Sequence, residues 1–240
     1  MIPEVITQNQ ETLQNGFPTG HVSTDSSKIS EIHKQKFNIS IWKRELDSVI
    51  TNSAKHVLLK NPRLEFSEVV QLKNVEQVLI TEFGSDAEMS PLYDDIKNVV
   101  QLFCDLFQLD RAWFRIDAID SPMCPRFHVD NLKCRLVTTY IGPGTQWLQH
   151  HSVNRTKLGH GNEGKPDEES GLFSNKEDIE QLDTGHIALL KGDAWSGNEG
   201  LGIVHRSPHA KGHYKRLYMT VDFVDLYLGI YQNFLKINKH

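Results

Sequence analysis

CPRFHVDNLKCRLVTTYIGPGTQWL, residues Cys124–Leu148, carries a structural signal and a chemical one. Its second half contains CRLVTTYI at Cys134–Ile141, a β-branched and aromatic run closed by Gly-Pro-Gly at Gly142–Gly144, which reads as a strand followed by a reversal. Its first half holds a His-x-Asp pair, His128 and Asp130. In a strand, residues i and i+2 project from one face, so this imidazole and this carboxylate would enter the same cavity. The pair is weak alone, because a chain this rich in His and Asp is expected to contain about one by chance. Its context therefore decides its meaning.

Downstream, the same short-strand texture recurs in HIALLKG (His186–Gly192), GIVHRS (Gly202–Ser207) and KRLYMTVDF (Lys215–Phe223), and just upstream in RAWFRIDAI (Arg111–Ile119). Glycine-rich turns such as GNEGLG at Gly197–Gly202 separate them. The polar segment His150–Asp183 is longer than an ordinary connection and reads as an active-site loop or a disordered insertion. Ahead of the strands, SPLYDDIKNVVQLFCDLFQL (Ser90–Leu109) is the clearest helix. Ser90 and Pro91 suit its start, and Leu92, Ile96, Val99, Phe103 and Leu106 form one apolar stripe. FNISIWKRELDSVI (Phe37–Ile50) predicts a helix capped by Ser40, and a weaker helix is expected near Ser67–Val78. The expectation is an α+β protein. It comprises a flexible arm over residues 1–35, a mainly helical part over 36–110, a β-barrel core over 111–225 and a packing segment over 226–240.

Composition sets limits on function. Charged residues make up 24% of the 240, with a formal net charge of -5, and the basic residues are spread out, which argues against a nucleic-acid partner. No apolar run approaches a membrane span and Met1–Asn15 lacks the pattern of a signal peptide, so a cytoplasmic protein without a membrane partner is expected. Three cysteines, Cys104, Cys124 and Cys134, form no disulfide framework and suit a reducing compartment. GPGT at Gly142–Thr145 lacks the lysine of a phosphate loop, and GNEGLG lacks the strand-turn-helix setting of a dinucleotide fingerprint.

Two later residues give the His-x-Asp pair its context. His205 ends a short apolar run, where it could complete a set of two histidines and one carboxylate on one face of a metal; a simple strand-end histidine would read the same way. Arg216 opens KRLYMTVDF, whose alternation puts Arg216, Tyr218, Thr220 and Asp222 on a polar face. If that face lines a cavity, Arg216 can hold a carboxylate with two parallel hydrogen bonds; if it faces water, it holds nothing. Arg135, on one face with Val137 and Thr139, is a second candidate anion contact. A rival set is Cys124, His128 and Cys134, whose soft ligands could close on Zn(II) with a further histidine.

In order and spacing, His128, Asp130, His205 and Arg216 resemble the motif set of the Fe(II)- and 2-oxoglutarate-dependent dioxygenases. That resemblance spans roughly Trp113–Asp225. It implies a double-stranded β-helix (jelly-roll) core with preceding packing helices, Fe(II) on His128, Asp130 and His205, and 2-oxoglutarate held by Arg216. The substrate would be a small molecule or a protein. One departure is Tyr218, where those enzymes commonly place Ser or Thr two positions after the arginine. The longer pattern CPRFHVD, TTYIGPGTQW, VHRSP and RLYMTVDF is similar to an uncharacterised proteobacterial family of domains of unknown function. That family's links to zinc homeostasis imply a non-catalytic Zn(II)-binding role as the alternative.

Overall fold

Alternation over Arg111–Ile119 buries Ala112, Phe114 and Ile116 on one side and turns Trp113, Arg115 and Asp117 to the other, so this strand must lie between an apolar layer and a polar one. The computed structural model, which describes residues 16–208 and 215–224, has that layering. In chain order the elements are β1 (Thr19–Ser23), β2 (Phe37–Trp42), α1 (Ser48–Lys60), β3 (Glu65–Gln71), α2 (Val75–Phe83), α3 (Ser90–Phe107), β4 (Arg111–Ile119) and β5 (Cys134–Ile141). Then follow β6 (Gln146–Leu148), β7 (Ile179–Gln181), β8 (Ile187–Lys191), β9 (Val204–Arg206) and β10 (Arg216–Asp222). A seven-stranded sheet has the order β1-β2-β8-β5-β10-β4-β3, and a three-stranded sheet has the order β7-β6-β9. The fold is mixed α+β.

The helices cover one face of the large sheet. Leu92, Ile96, Val99, Val100 and Phe103 of α3 pack with Phe114, Ile116, Leu136, Met219 and Val221 in the main core. Each such side chain contributes about 1.5–3 kcal/mol by leaving water. Beneath this layer Arg44 donates to both oxygens of Asp95 at 2.6 and 2.9 Å, and the Tyr140 hydroxyl donates to Asp95 Oδ2 at 2.7 Å. A second apolar cluster, including Ile39, Val137, Trp147 and Ile203, lies between the sheets. A third, of Phe127, Leu148, Leu172 and Val204, is joined by Val153, Leu158 and Phe173. Among the described residues no helix is long and apolar enough to cross a membrane.

Several sequence expectations need correction. Phe37–Trp42 is a strand rather than the start of a helix, and Ser40 is buried between β1 and β8 instead of capping. A β-branched run buried on both faces fits either element by pattern alone. The helix begins at Ser48, where Asp47 accepts from the Val49 amide at 2.9 Å. Glu65–Gln71 is likewise a strand and the helix follows at Val75–Phe83. The spacing of Phe66 and Val70 satisfies both the helical and the strand period. Within the expected flexible arm, residues 19–23 form β1, and a short 3-10 helix at Ser26–His33 buries Ile29 and Ile32. Residues 1–15 and the packing segment over 226–240 lie outside the described residues. His150–Asp183, expected as a loop or an insertion, is a chain of short 3-10 turns leading into β7.

Candidate metal centre

His128 and His205 face each other as an antiparallel pair, each amide donating to the other's carbonyl at 3.0 Å. This bridge adds the His128 backbone to the edge of β9. Each imidazole is oriented by its own chain, with His128 Nδ1 2.9 Å from the Arg126 carbonyl and His205 Nδ1 3.1 Å from the Ile203 carbonyl. A carbonyl only accepts, so Nδ1 carries the proton and the Nε2 lone pair is left for another partner. His128 Nε2 lies 3.6 Å from Asp130 Oδ1, and His205 Nε2 lies 3.4 Å from Asp130 Oδ2. The ligand atoms of the three residues fall within 4.8 Å of one another. Gly192, after β8, permits the close approach of this turn, since a Cβ there would sit 2.4 Å from the Asp130 carbonyl oxygen.

The electrostatics favour an added cation. Arg135 Nη1 donates to Asp130 Oδ2 at 2.7 Å, while its Nε and Nη2 donate to the two oxygens of Asp222 at 2.8 and 3.2 Å. One guanidinium thus serves two carboxylates, leaving the trio one charge negative. Burial pushes the Asp130 carboxyl upward, but His205, Arg135 and His128 together outweigh it and hold it well below the ordinary range. Burial raises Asp222, Arg135 opposing. His128 is pushed down by burial and by neighbouring His205, which favours the neutral imidazole that metals take.

Arg216 is buried at the start of β10. Its Nη2 donates to Thr139 Oγ1 at 3.0 Å and Thr145 Oγ1 at 3.1 Å, its guanidinium lies 4.1 Å from the Tyr218 ring centroid, and its Nε has no partner among the described residues. Among the described residues no carboxylate pairs with it. A cavity of about 100 Å³ is lined by His128, His205, Arg135, Tyr218, Thr145 and Trp113, among others.

The cysteines do not join this cluster. Cys124 is exposed at the cavity wall, whereas Cys134 is fully buried in the core beneath the helices, on the face of β5 opposite Arg135, where burial pushes its thiol up. Among the described residues, His128, Asp130 and His205 are the one group of three such side chains close enough to share a metal. The donor set of two imidazoles and one carboxylate, with both Nδ1 atoms engaged by carbonyls, fits Fe(II) or Zn(II). Sequence reasoning missed Thr145, read as part of a turn, and the buried pair Asp167 and Arg206, whose contact at 3.1 Å spans 39 residues without any local pattern.

Comparison with known proteins agrees with this architecture. Residues 23–222 match the family model described as a protein of unknown function, DUF1826. No curated protein sequence matches the chain. The fold is similar to that of the dioxygenase for auxin oxidation 1 of Arabidopsis thaliana, solved as a binary complex with 2-oxoglutarate, at a TM-score of 0.50 and 12% identity, covering 86% of this chain and 92% of that one. It is also similar to the dioxygenase for auxin oxidation of rice, at a TM-score of 0.51 and 10% identity, covering 86% and 82%. At these identities the likeness is one of fold.

Proposed function

We propose that the chain, which belongs to the DUF1826 family, is an Fe(II)- and 2-oxoglutarate-dependent dioxygenase that hydroxylates a small molecule or a protein side chain. The observation that carries this reading is the convergence of His128, Asp130 and His205 in the same fold as a buried Arg216 that pairs with no carboxylate among the described residues. On this reading the two sheets are the walls of a double-stranded β-helix, with His205 on the small sheet, His128 bridged to its edge and Arg216 on the large one.

Within that site His128, Asp130 and His205 hold the metal, and the backbone carbonyls of Arg126 and Ile203 fix the orientation of the two imidazoles. Arg135 holds the Asp130 carboxylate and is itself anchored by Asp222. Arg216 receives the far carboxylate of 2-oxoglutarate. The Ser or Thr usual two positions after that arginine is replaced by Tyr218, whose ring covers the guanidinium, and Thr139 and Thr145 supply the hydroxyls from neighbouring elements. Fe(II) held there would supply the redox chemistry by which dioxygen, the oxidant, gives one oxygen atom to 2-oxoglutarate as it is decarboxylated to succinate and carbon dioxide, and the other to a C–H bond of the substrate. The protein binds, orients and excludes water.

The second reading is a non-catalytic Zn(II)-binding protein, supported by the same donor set and by Cys124 at the cavity wall. Tag-free protein loaded anaerobically with Fe(II) separates the two. Enzyme function requires Fe(II) binding and, once dioxygen is admitted, uncoupled succinate formation from 2-oxoglutarate, both lost in Asp130→Ala. Zinc retained through purification, diminished by Cys124→Ser and accompanied by no succinate would favour metal handling instead.

A further inference from the structure

We propose that Asp167, on the connection between β6 and β7, is a positioning residue for the metal centre, clamping the segment that carries His128 to strand β9, which carries His205. This deepens the metal-centre reading and rests on it. Asp167 lies in a short 3-10 turn and is 4% exposed. Its Oδ2 accepts from the Phe127 amide at 2.8 Å and from Arg206 Nη1 at 3.1 Å. Phe127 immediately precedes His128, and Arg206 immediately follows His205. One carboxylate oxygen therefore touches the neighbour of each histidine.

The surrounding contacts make this a fixed joint. Arg206 is as buried as Asp167, its Nε donates to Gln146 Oε1 on β6 at 2.9 Å, and its guanidinium lies 4.2 Å from the Phe127 ring centroid. Nη1 also donates to Glu168 Oε1 at 3.0 Å, and Arg126 Nη1 stands 3.5 Å from Asp167 Oδ1. The connection is held elsewhere by Arg155, which donates to the Gly202 carbonyl just before β9, and by Leu172 in the cluster around Phe127.

The metal centre needs such a joint. His128 belongs to no strand of its own and meets β9 through an isolated bridge with one pair of backbone hydrogen bonds, flanked only by single bonds from the Ser207 amide to the Cys124 carbonyl at 2.9 Å and from the Asp193 amide to the Asp130 carbonyl at 3.0 Å. A short bridge at a sheet edge opens readily. Ligand spacing is intolerant of that opening, because metal bonds keep their lengths within about 0.2 Å. Loss of groups that orient ligands commonly lowers metal affinity by about 10–100-fold. The segment that read as a loop or an insertion is thereby assigned a role in holding the site.

The test measures Fe(II) binding alone, anaerobically, and amide hydrogen exchange in metal-free protein. Asp167→Ala is expected to weaken Fe(II) binding by about 10–100-fold. It should also speed exchange of the His128 and His205 amides while leaving Ile187–Lys191 on β8 unchanged. Asp167→Asn, which keeps an acceptor for the Phe127 amide but loses the charge facing Arg206, should show a smaller loss. If the alanine variant fails to fold, the asparagine variant carries the test. Ser170→Ala removes a hydroxyl that donates to the Asp167 carbonyl at 3.0 Å and leaves the carboxylate alone, so its Fe(II) affinity should match wild type. Wild-type affinity in both Asp167 variants, or an equal loss in Ser170→Ala, overturns the positioning role. A wild-type protein that binds no Fe(II) overturns the metal centre and this role with it, and amide exchange then shows whether the two segments are clamped for stability alone.

Discussion

Replacing Arg216 by Met tests the proposed anion contact without touching any metal ligand. The guanidinium is buried, has two hydroxyl partners and an aromatic face, and pairs with no carboxylate among the described residues. If 2-oxoglutarate supplies the missing charge, truncating one side of that buried pair costs about 2–5 kcal/mol of binding. A loss of 2 kcal/mol alone is about 30-fold in affinity. With Mn(II) present and 2-oxoglutarate at about 100 times its wild-type dissociation constant, ligand binding stabilises the wild type by about 2.7 kcal/mol. That raises the melting temperature by roughly 5–10 °C for a domain of this size. At the same concentration Arg216→Met would be stabilised by under about 1 kcal/mol, a shift of no more than about 4 °C. Each variant is compared with its own ligand-free melt, so a general loss of stability does not enter. Arg216→Lys, keeping the charge but not the fork, should fall between them. Equal ligand-induced shifts in wild type and Arg216→Met would refute the assignment.

Two further outcomes concern the scaffold. Asp95→Ala strands the buried Arg44 guanidinium and the Tyr140 hydroxyl, and should cost about 3–5 kcal/mol in urea unfolding; a loss under about 1 kcal/mol would mean that water or another acceptor reaches Arg44. Lys191 is buried, donates to the Lys34 carbonyl at 2.9 Å, and has its ordinary value of 10.5 pushed down to about 8 by burial. Between those values the unfolded chain holds more protons than the folded one, so Lys191 makes folding more favourable as pH rises across that window. The stability difference, wild type minus Lys191→Met, should therefore increase from pH 8 to 10.5, and a difference independent of pH would contradict the burial argument.

How far the sequence revealed the fold depended on whether a run's neighbours stamped a single period on it. β4 and β10 each separate an apolar face from a polar one, so their alternation was readable, as was the stripe of α3. β2 is buried on both sides and β3 is an edge strand whose apolar pair is spaced by four, so each fitted two periods and was read as helix. The candidate site followed the same division. His128 and Asp130 are two apart, and Arg216 and Asp222 share a face, which short-range pattern can express. The bond between Asp167 and the Phe127 amide joins residues 40 positions apart through a polar segment with no period, and nothing local announces it.

Alternation also distributes charge along the polar face of the large sheet. On β10 it turns Arg216 and Asp222 to the same side, and the register with β4 and β5 sets Arg135 beside Asp222 and Arg115 beside Thr220. Arg115 is matched by Asp117 at 2.5 Å. Arg135 with Asp130 and Asp222 leaves one excess negative charge at the histidines, and Arg216 leaves one positive charge at the start of the strand. On the proposed reading a divalent metal alone would leave this interior two charges positive, and 2-oxoglutarate alone two charges negative. Together they leave it neutral, which in a buried setting is the least costly arrangement. The metal and the diacid should therefore each strengthen the other's binding by the same factor. That coupling would come from the spacing of Arg216 and Asp222 along one strand face, before any direct contact between the two ligands is counted.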